Sequence, residues 1–176
     1  MIVVVGSPVA AADGASFTAA GLAALTAINL AAKGESVELI GRVGSDAAGD
    51  AIVLALGRAG VGHAALLRDA ARSTPMGDTA EGIALDSGDL QLALRYLTAF
   101  DAAIFIAPVG APKATGALLG LMRDGAAFAG ARLIVVAAEN LEAAAAGAED
   151  PDTLHIVPGS ESTAELAARL AARAIA

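Results

Sequence analysis

The chain has 176 residues, 56% of them hydrophobic but only 3% aromatic, with no cysteine and a formal net charge of −8. That is enough for one domain (1–176) whose continuous core is packed from small aliphatic side chains, and not for a second full domain beside it. The acidic balance excludes nucleic-acid backbone binding, which takes clustered Lys and Arg, and the lack of cysteine excludes disulfides and thiolate metal sites and suits a reducing cytosol.

The opening residues, MIVVVGSPVA, lack the basic leader of a secretory signal, and no apolar run approaches the roughly 20 residues of a spanning helix. The expectation is a soluble cytoplasmic protein with neither nucleic acid nor membrane as partner. Five aliphatic runs predict strands: residues 2–5, 37–40, 103–106, 133–136 and 154–157. Polar alternation is largely absent from them, as in strands buried on both faces. Between them lie helical spacings such as Ile52 with Leu56, Leu90 with Leu94, Leu118 with Met122, and Leu166 with Leu170. The alternation of strand and helix predicts a three-layer α/β fold with a five-stranded, mostly parallel sheet.

Local punctuation agrees. Asp46 is placed to cap the helix after the second strand, Gly60 to close that helix, and Pro112 to start another. Ser162 and Glu165 have capping-box spacing, with Arg169 and Arg173 toward the negative end of the last helix, so the chain is expected to close on a complete helix. Residues 64–85 lack a clear helix. They are expected to form two or three exposed strands outside the main sheet, a small β appendage.

The most specific spacing is Gly41-Arg42-Val43-Gly44-Ser45-Asp46-Ala47-Ala48-Gly49-Asp50, followed by a helical stretch and Ala59-Gly60-Val61. Gly41, Gly44 and Gly49 allow a tight strand-to-helix turn, and Asp46 meets the orphan amides at the helix start. With its surroundings, residues 34–75, this segment resembles the opening half of the ribokinase-like (PfkB-family) carbohydrate kinases. The resemblance implies a ribokinase-like sheet and a β lid, at 64–85, that covers the sugar and often forms a dimer contact. It also implies that Asp13, just after Gly6-Ser7, stands for the aspartate that binds sugar hydroxyls, and that Ala20-Gly21 stands for the family's Gly-Gly pair.

The sequence departs from that pattern at the positions that carry chemistry. Leu25 occupies the place of the sugar-binding Asn, with Asn29 one helical turn later. Gly159 and Ser162 stand where the family has the Asn and Glu that organise phosphates and magnesium. The Gly-Ala-Gly-Asp motif, whose amides form the family's anion hole and whose Asp is its base, does not occur; a reading of Glu161 as a shifted base stays open. There is also no Walker loop, no Gly-x-Gly-x-x-Gly turn after the first strand and no Gly-x-Ser-x-Gly elbow.

The expectation is therefore a degenerate carbohydrate-kinase relative that binds a small polar ligand or sugar, needs no cofactor, and forms a homodimer through the β appendage or a sheet edge. The alternative is a sugar or nucleoside kinase, using ATP and magnesium, completed by a partner chain. A ligand belongs in the crevice at the carboxyl ends of the strands. The candidate lining residues are Asp13, Gly21, Arg42, Lys113, Glu139 and Asn140. Arg42 is placed either to meet a phosphate or carboxylate or to form an ion pair.

Overall fold

The computed structural model of the chain describes residues 1–77, 80–97, 99–108, 112–137, 153–156 and 158–176. β1 (Ile2–Val5) lies at the centre of a parallel sheet. On one side it pairs with β4 (Val37–Gly44), which pairs with β5 (Leu66–Asp69). On the other side follow β6 (Ala102–Ile106), β7 (Arg132–Val136) and β8 (Thr153–Ile156). A separate antiparallel ribbon joins β2 (Val9–Asp13) to β3 (Ser16–Ala20).

Alternation along β1 divides the core. Ile2 and Val4 point into one cluster with Leu30 of α1 (Gly21–Ala32), Ile52 and Leu56 of α2 (Ala47–Arg58), and Leu170 of α5 (Thr163–Ile175). Val3 and Val5 point into the other, with Leu90 of α3 (Ser87–Tyr96) and Leu118 and Met122 of α4 (Pro112–Ala129). All four β1 side chains are buried, which is why the strand reads as an unbroken apolar run. α1 and α5 pack side by side, and Ala24, Ala27, Ala167 and Ala171 on them are fully buried, so small side chains let the two helices approach closely.

The five expected strands are present and parallel, and Leu66–Asp69 adds a sixth at the β4 edge. The β appendage needs correction. Expected at 64–85, it is built by residues 9–20: β5 pairs within the main sheet, and residues 80–86 are irregular. The 64–85 segment meets the ribbon at Pro75-Met76-Gly77. Met76 forms a bridge to Ala10, with the Ala10 amide donating to Pro75 O at 2.9 Å and the Gly77 amide to Ala10 O at 2.8 Å. The physical reason is that β4 offers a free parallel edge to Leu66–Asp69. Gly14, at φ +61°, lets the chain reverse through Gly14-Ala15 and fold residues 9–20 on themselves.

Helix ends follow the expected chemistry. Asp46 accepts from the Gly49 amide at 2.8 Å, Gly60 closes that helix at φ +76°, and Ser162 and Glu165 form a reciprocal capping box. Among the described residues no helix is long and apolar enough to cross a membrane.

Candidate functional site

The sheet order β5-β4-β1-β6-β7-β8 fixes where a ligand crevice can form. From β1 the chain moves outward through β4 and β5, then returns to the opposite side of β1 and moves outward again through β6, β7 and β8. The connections therefore leave in opposite directions on either side of the β1–β6 pair, and a crevice opens at the carboxyl ends of those two strands. A cavity of about 580 Å³ lies there. Its floor is Val5, Gly6 and Ser7 at the end of β1, Phe105 to Pro108 at the end of β6, and Val136 and Ala137 at the end of β7. Gly21, Leu22 and Ala23 at the start of α1 form one wall, Ala80 to Leu85 another, and Glu161, Thr163 and Leu166 close the side toward α5.

The wall at 80–85 is a strap held down on the end of β1. A Cβ on Gly82 would fall onto the Ser7 carbonyl oxygen, so only glycine permits this approach. The Ser7 hydroxyl donates to the Ile83 carbonyl and accepts from the Arg42 amide at 2.9 Å. Beyond the strap, the Arg42 guanidinium pairs with Asp89, with Asp86 at 3.4 Å and with Asp69 at 3.8 Å. Arg42, Asp69 and Asp89 are each less than a fifth exposed, so this cluster ties the start of α3 to the ends of β4 and β5.

A second knot lies where β4 turns into α2. Asp46 receives the Gly49 amide, the Thr74 amide at 2.7 Å and the Thr74 hydroxyl at 2.7 Å. The Thr74 hydroxyl in turn accepts from the Gly44 amide at 3.0 Å. These bonds, the Thr74 hydroxyl first and the Gly49 amide next, hold the Asp46 carboxyl below its ordinary range. A depressed folded-state pKa stabilises the fold above the unfolded value, and the contribution is lost as pH falls through the folded value. Acid denaturation should therefore begin to draw on Asp46 below about pH 4. Asp46→Asn should show a shallower acid limb in melts taken across that range; an unchanged limb would exclude Asp46 as a source of it.

The structure distributes the residues singled out from sequence unevenly. Gly21 lines the cavity at φ +79°, where a Cβ would lie 2.9 Å from Val9 Cγ2. Asp13 is exposed at the ribbon turn and does not line the cavity. Arg42 does not line it either, being taken up by its three carboxylates. Lys113 belongs to the first turn of α4, its side chain outside the described set, and Glu139 and Asn140 lie outside the described residues. Gly41, Gly44, Asp46 and Gly49 build the β4–α2 corner: a Cβ on Gly41 would stand 2.7 Å from Gly6 O, and one on Gly44 2.6 Å from the Thr74 amide. Sequence reasoning missed the strap, because Glu81-Gly82-Ile83 carries no motif. It also passed over Ser7 as a lining group, although Ser7 follows a recognisable strand end, and it raised Glu161 as a shifted base and not among the lining residues.

Solved sugar-kinase structures share this architecture. The fructokinase from Xylella fastidiosa is 16% identical, with a TM-score of 0.60 over 77% of this chain and 50% of its own. That of Halothermothrix orenii is 16% identical, with a TM-score of 0.59 over 98% and 65%. The ribokinase from Giardia lamblia is 15% identical, with a TM-score of 0.61 over 78% and 51%. At such identities the likeness is one of fold, ribokinase-like, and the chain spans about half the length of the first and third and under two thirds of the second. No protein-family model matches the sequence, and no curated protein does.

Proposed function

We propose that this chain is a small-ligand-binding protein on a sugar-kinase fold that does not by itself transfer phosphate. The observation that carries this is the cavity at the switch point. At about 580 Å³ it is of ligand size, its walls are mainly aliphatic with Phe105, and its described lining includes no cation to meet a phosphate. Phosphoryl transfer depends on positioned positive charge and amide donors. Two further features support the reading: Leu25 stands where a sugar-binding Asn is expected, and Arg42 is committed to Asp69, Asp86 and Asp89. A sugar needs a partner for nearly every hydroxyl, whereas the polar side chains described here are Ser7, Glu81, Glu161 and Thr163. The ligand is accordingly mainly apolar, with one or two polar groups. Self-association through the ribbon belongs to the same proposal, supported by the exposure of Phe17 on it and Met76 beside it.

A second reading, a sugar or nucleoside kinase completed by a partner chain that brings the ATP and magnesium site, is favoured by one fact: the chain spans about half of several of the kinases it matches. Thermal melts with millimolar ATP and magnesium separate the two. A ligand at about a hundred times its Kd adds about 2.7 kcal/mol to native stability. The purified chain should show no rise in melting temperature and no ATP turnover with sugar or nucleoside acceptors. A rise of several degrees, or phosphorylated product, would overturn the first reading. Light scattering on the same sample should give a dimer; a strict monomer would remove the ribbon contact from the proposal.

A further inference from the structure

The cavity is apolar in its walls but acidic in its charged groups. Among the described lining residues the ionisable side chains are Glu81, on the strap, and Glu161, on the approach to α5. Arg169 fixes Glu161, with Nε at 3.1 Å and Nη2 at 2.5 Å, and the Gly159 amide lies 3.4 Å from the same carboxylate. A carboxylate has about four acceptor sites, so this clamp orients Glu161 and leaves it able to accept again. Ser7 spends its hydroxyl hydrogen on the Ile83 carbonyl, so what it offers a ligand is a lone pair. The side-chain chemistry facing the cavity is thus rich in acceptors.

One feature pulls the other way. α1 begins at the cavity with no side-chain cap at Ala20 and no acidic residue in its first turn, which leaves its amide donors and positive dipole end open there. That end is worth roughly half an elementary charge. The amino end of α5 is already satisfied by Ser162 and Glu165. The Arg169 charge offsets Glu161, while Glu81 is exposed on the strap, has no ion-pair partner among the described residues and carries a full charge. A full negative charge against about half a positive one leaves the mouth negative, in a chain whose net charge is −8.

We propose that the cavity takes a small apolar amine, its hydrocarbon body against Val5, Leu22, Phe105 and Leu166 and its ammonium group at Glu161, with Glu81 strengthening the field. This rests on the reading of the cavity as a ligand site. An ammonium group supplies the donors that Glu161 and Ser7 lack, and a phosphate or carboxylate in the same place meets the uncompensated charge of Glu81.

The test uses three probes with one body: cyclohexylmethylamine, cyclohexylmethanol and cyclohexanecarboxylate, titrated calorimetrically into the full chain. The amine should bind about tenfold more tightly than the alcohol, and the carboxylate most weakly. Glu161→Gln should bring the amine to the alcohol's affinity and leave the alcohol within about twofold. Glu81→Gln, at an exposed position, should weaken the amine by a smaller factor and serves if the first variant does not fold. If the alcohol binds and the amine binds no better, or the carboxylate binds best, the amine assignment is overturned while the cavity reading stands. If none of the three binds, the cavity reading falls and takes the amine with it.

Discussion

Gly49→Ala should lower stability by about 3 kcal/mol, which for a chain of this size is a fall of roughly 6–12 °C in melting temperature. Gly49 is the third residue of α2, and on helix propensity alone alanine should gain about 1 kcal/mol there. Packing reverses that sign. The added methyl would fall onto the Gly44 carbonyl oxygen, with Arg68 Nη1 at 2.9 Å and Thr74 Oγ1 at 3.1 Å. Arg68 can swing aside, but the Gly44 carbonyl is backbone at the end of β4. Gly44 itself has no slack, since it is pressed against the Thr74 amide and the Arg72 carbonyl. Relief would have to come from moving the first turn of α2 away from β4, which breaks the Asp46 bonds to Gly49 and Thr74. Gly120→Ala in α4 is the matched comparison: nothing lies within 4 Å of its added methyl, so propensity should win and the variant should melt slightly higher. A Gly49→Ala protein as stable as the parent would show that the corner yields, and that its glycines are not required by close approach.

The same corner shows why much of this fold can be read from sequence. Its glycines and Asp46 act over a few residues, through amide capping and backbone contact, so spacing along the chain carries the information. The central strands are legible for a similar reason: β1, β6 and β7 are nearly or wholly buried on both faces and are apolar apart from Arg132 at the start of β7. β5 hides because it is an edge strand, Leu66-Leu67-Arg68-Asp69, whose charged half is spent on Asp50 and Arg42 and therefore reads as an exposed strand outside the main sheet. The β2–β3 ribbon hides because it is built largely from alanine, a weak strand former. The signal the sequence carries for it is Gly14-Ala15, a Gly-X loop of hairpin type directly after Asp13. The cavity was legible only in outline. Strand order places a crevice, but the strap that walls it depends on contacts from Gly82 to Ser7 and from Arg42 to Asp86 and Asp89, each between residues more than 40 apart in sequence.

Arg42→Ala should cost about 3 kcal/mol and also open the cavity, because it removes the cation shared by three carboxylates. Asp69 and Asp89 are mostly buried and would be left facing each other and Asp86, with Arg72, 3.9 Å from Asp69, the one remaining ion-pair partner among the described residues. Two effects of different kind should follow. In limited proteolysis, the segment from Ile83 to Leu85 should lose protection more than β1, since the strap keeps its Ser7 contact but loses its anchor at the start of α3. In acid, the Asp86 carboxyl is held below its ordinary range by the Asp89 amide first and by the Arg42 charge among the lesser causes. Its contribution is present above the unfolded pKa and lost as pH falls through the folded value, so the variant should lose part of this acid-sensitive stability while the capping bond remains. Arg42→Lys keeps the charge but not the planar fork, and should restore the acid limb better than the strap's protection. Equal loss of protection across β1 and the strap in Arg42→Ala would mean that Arg42 stabilises the whole sheet and has no particular hold on the cavity wall.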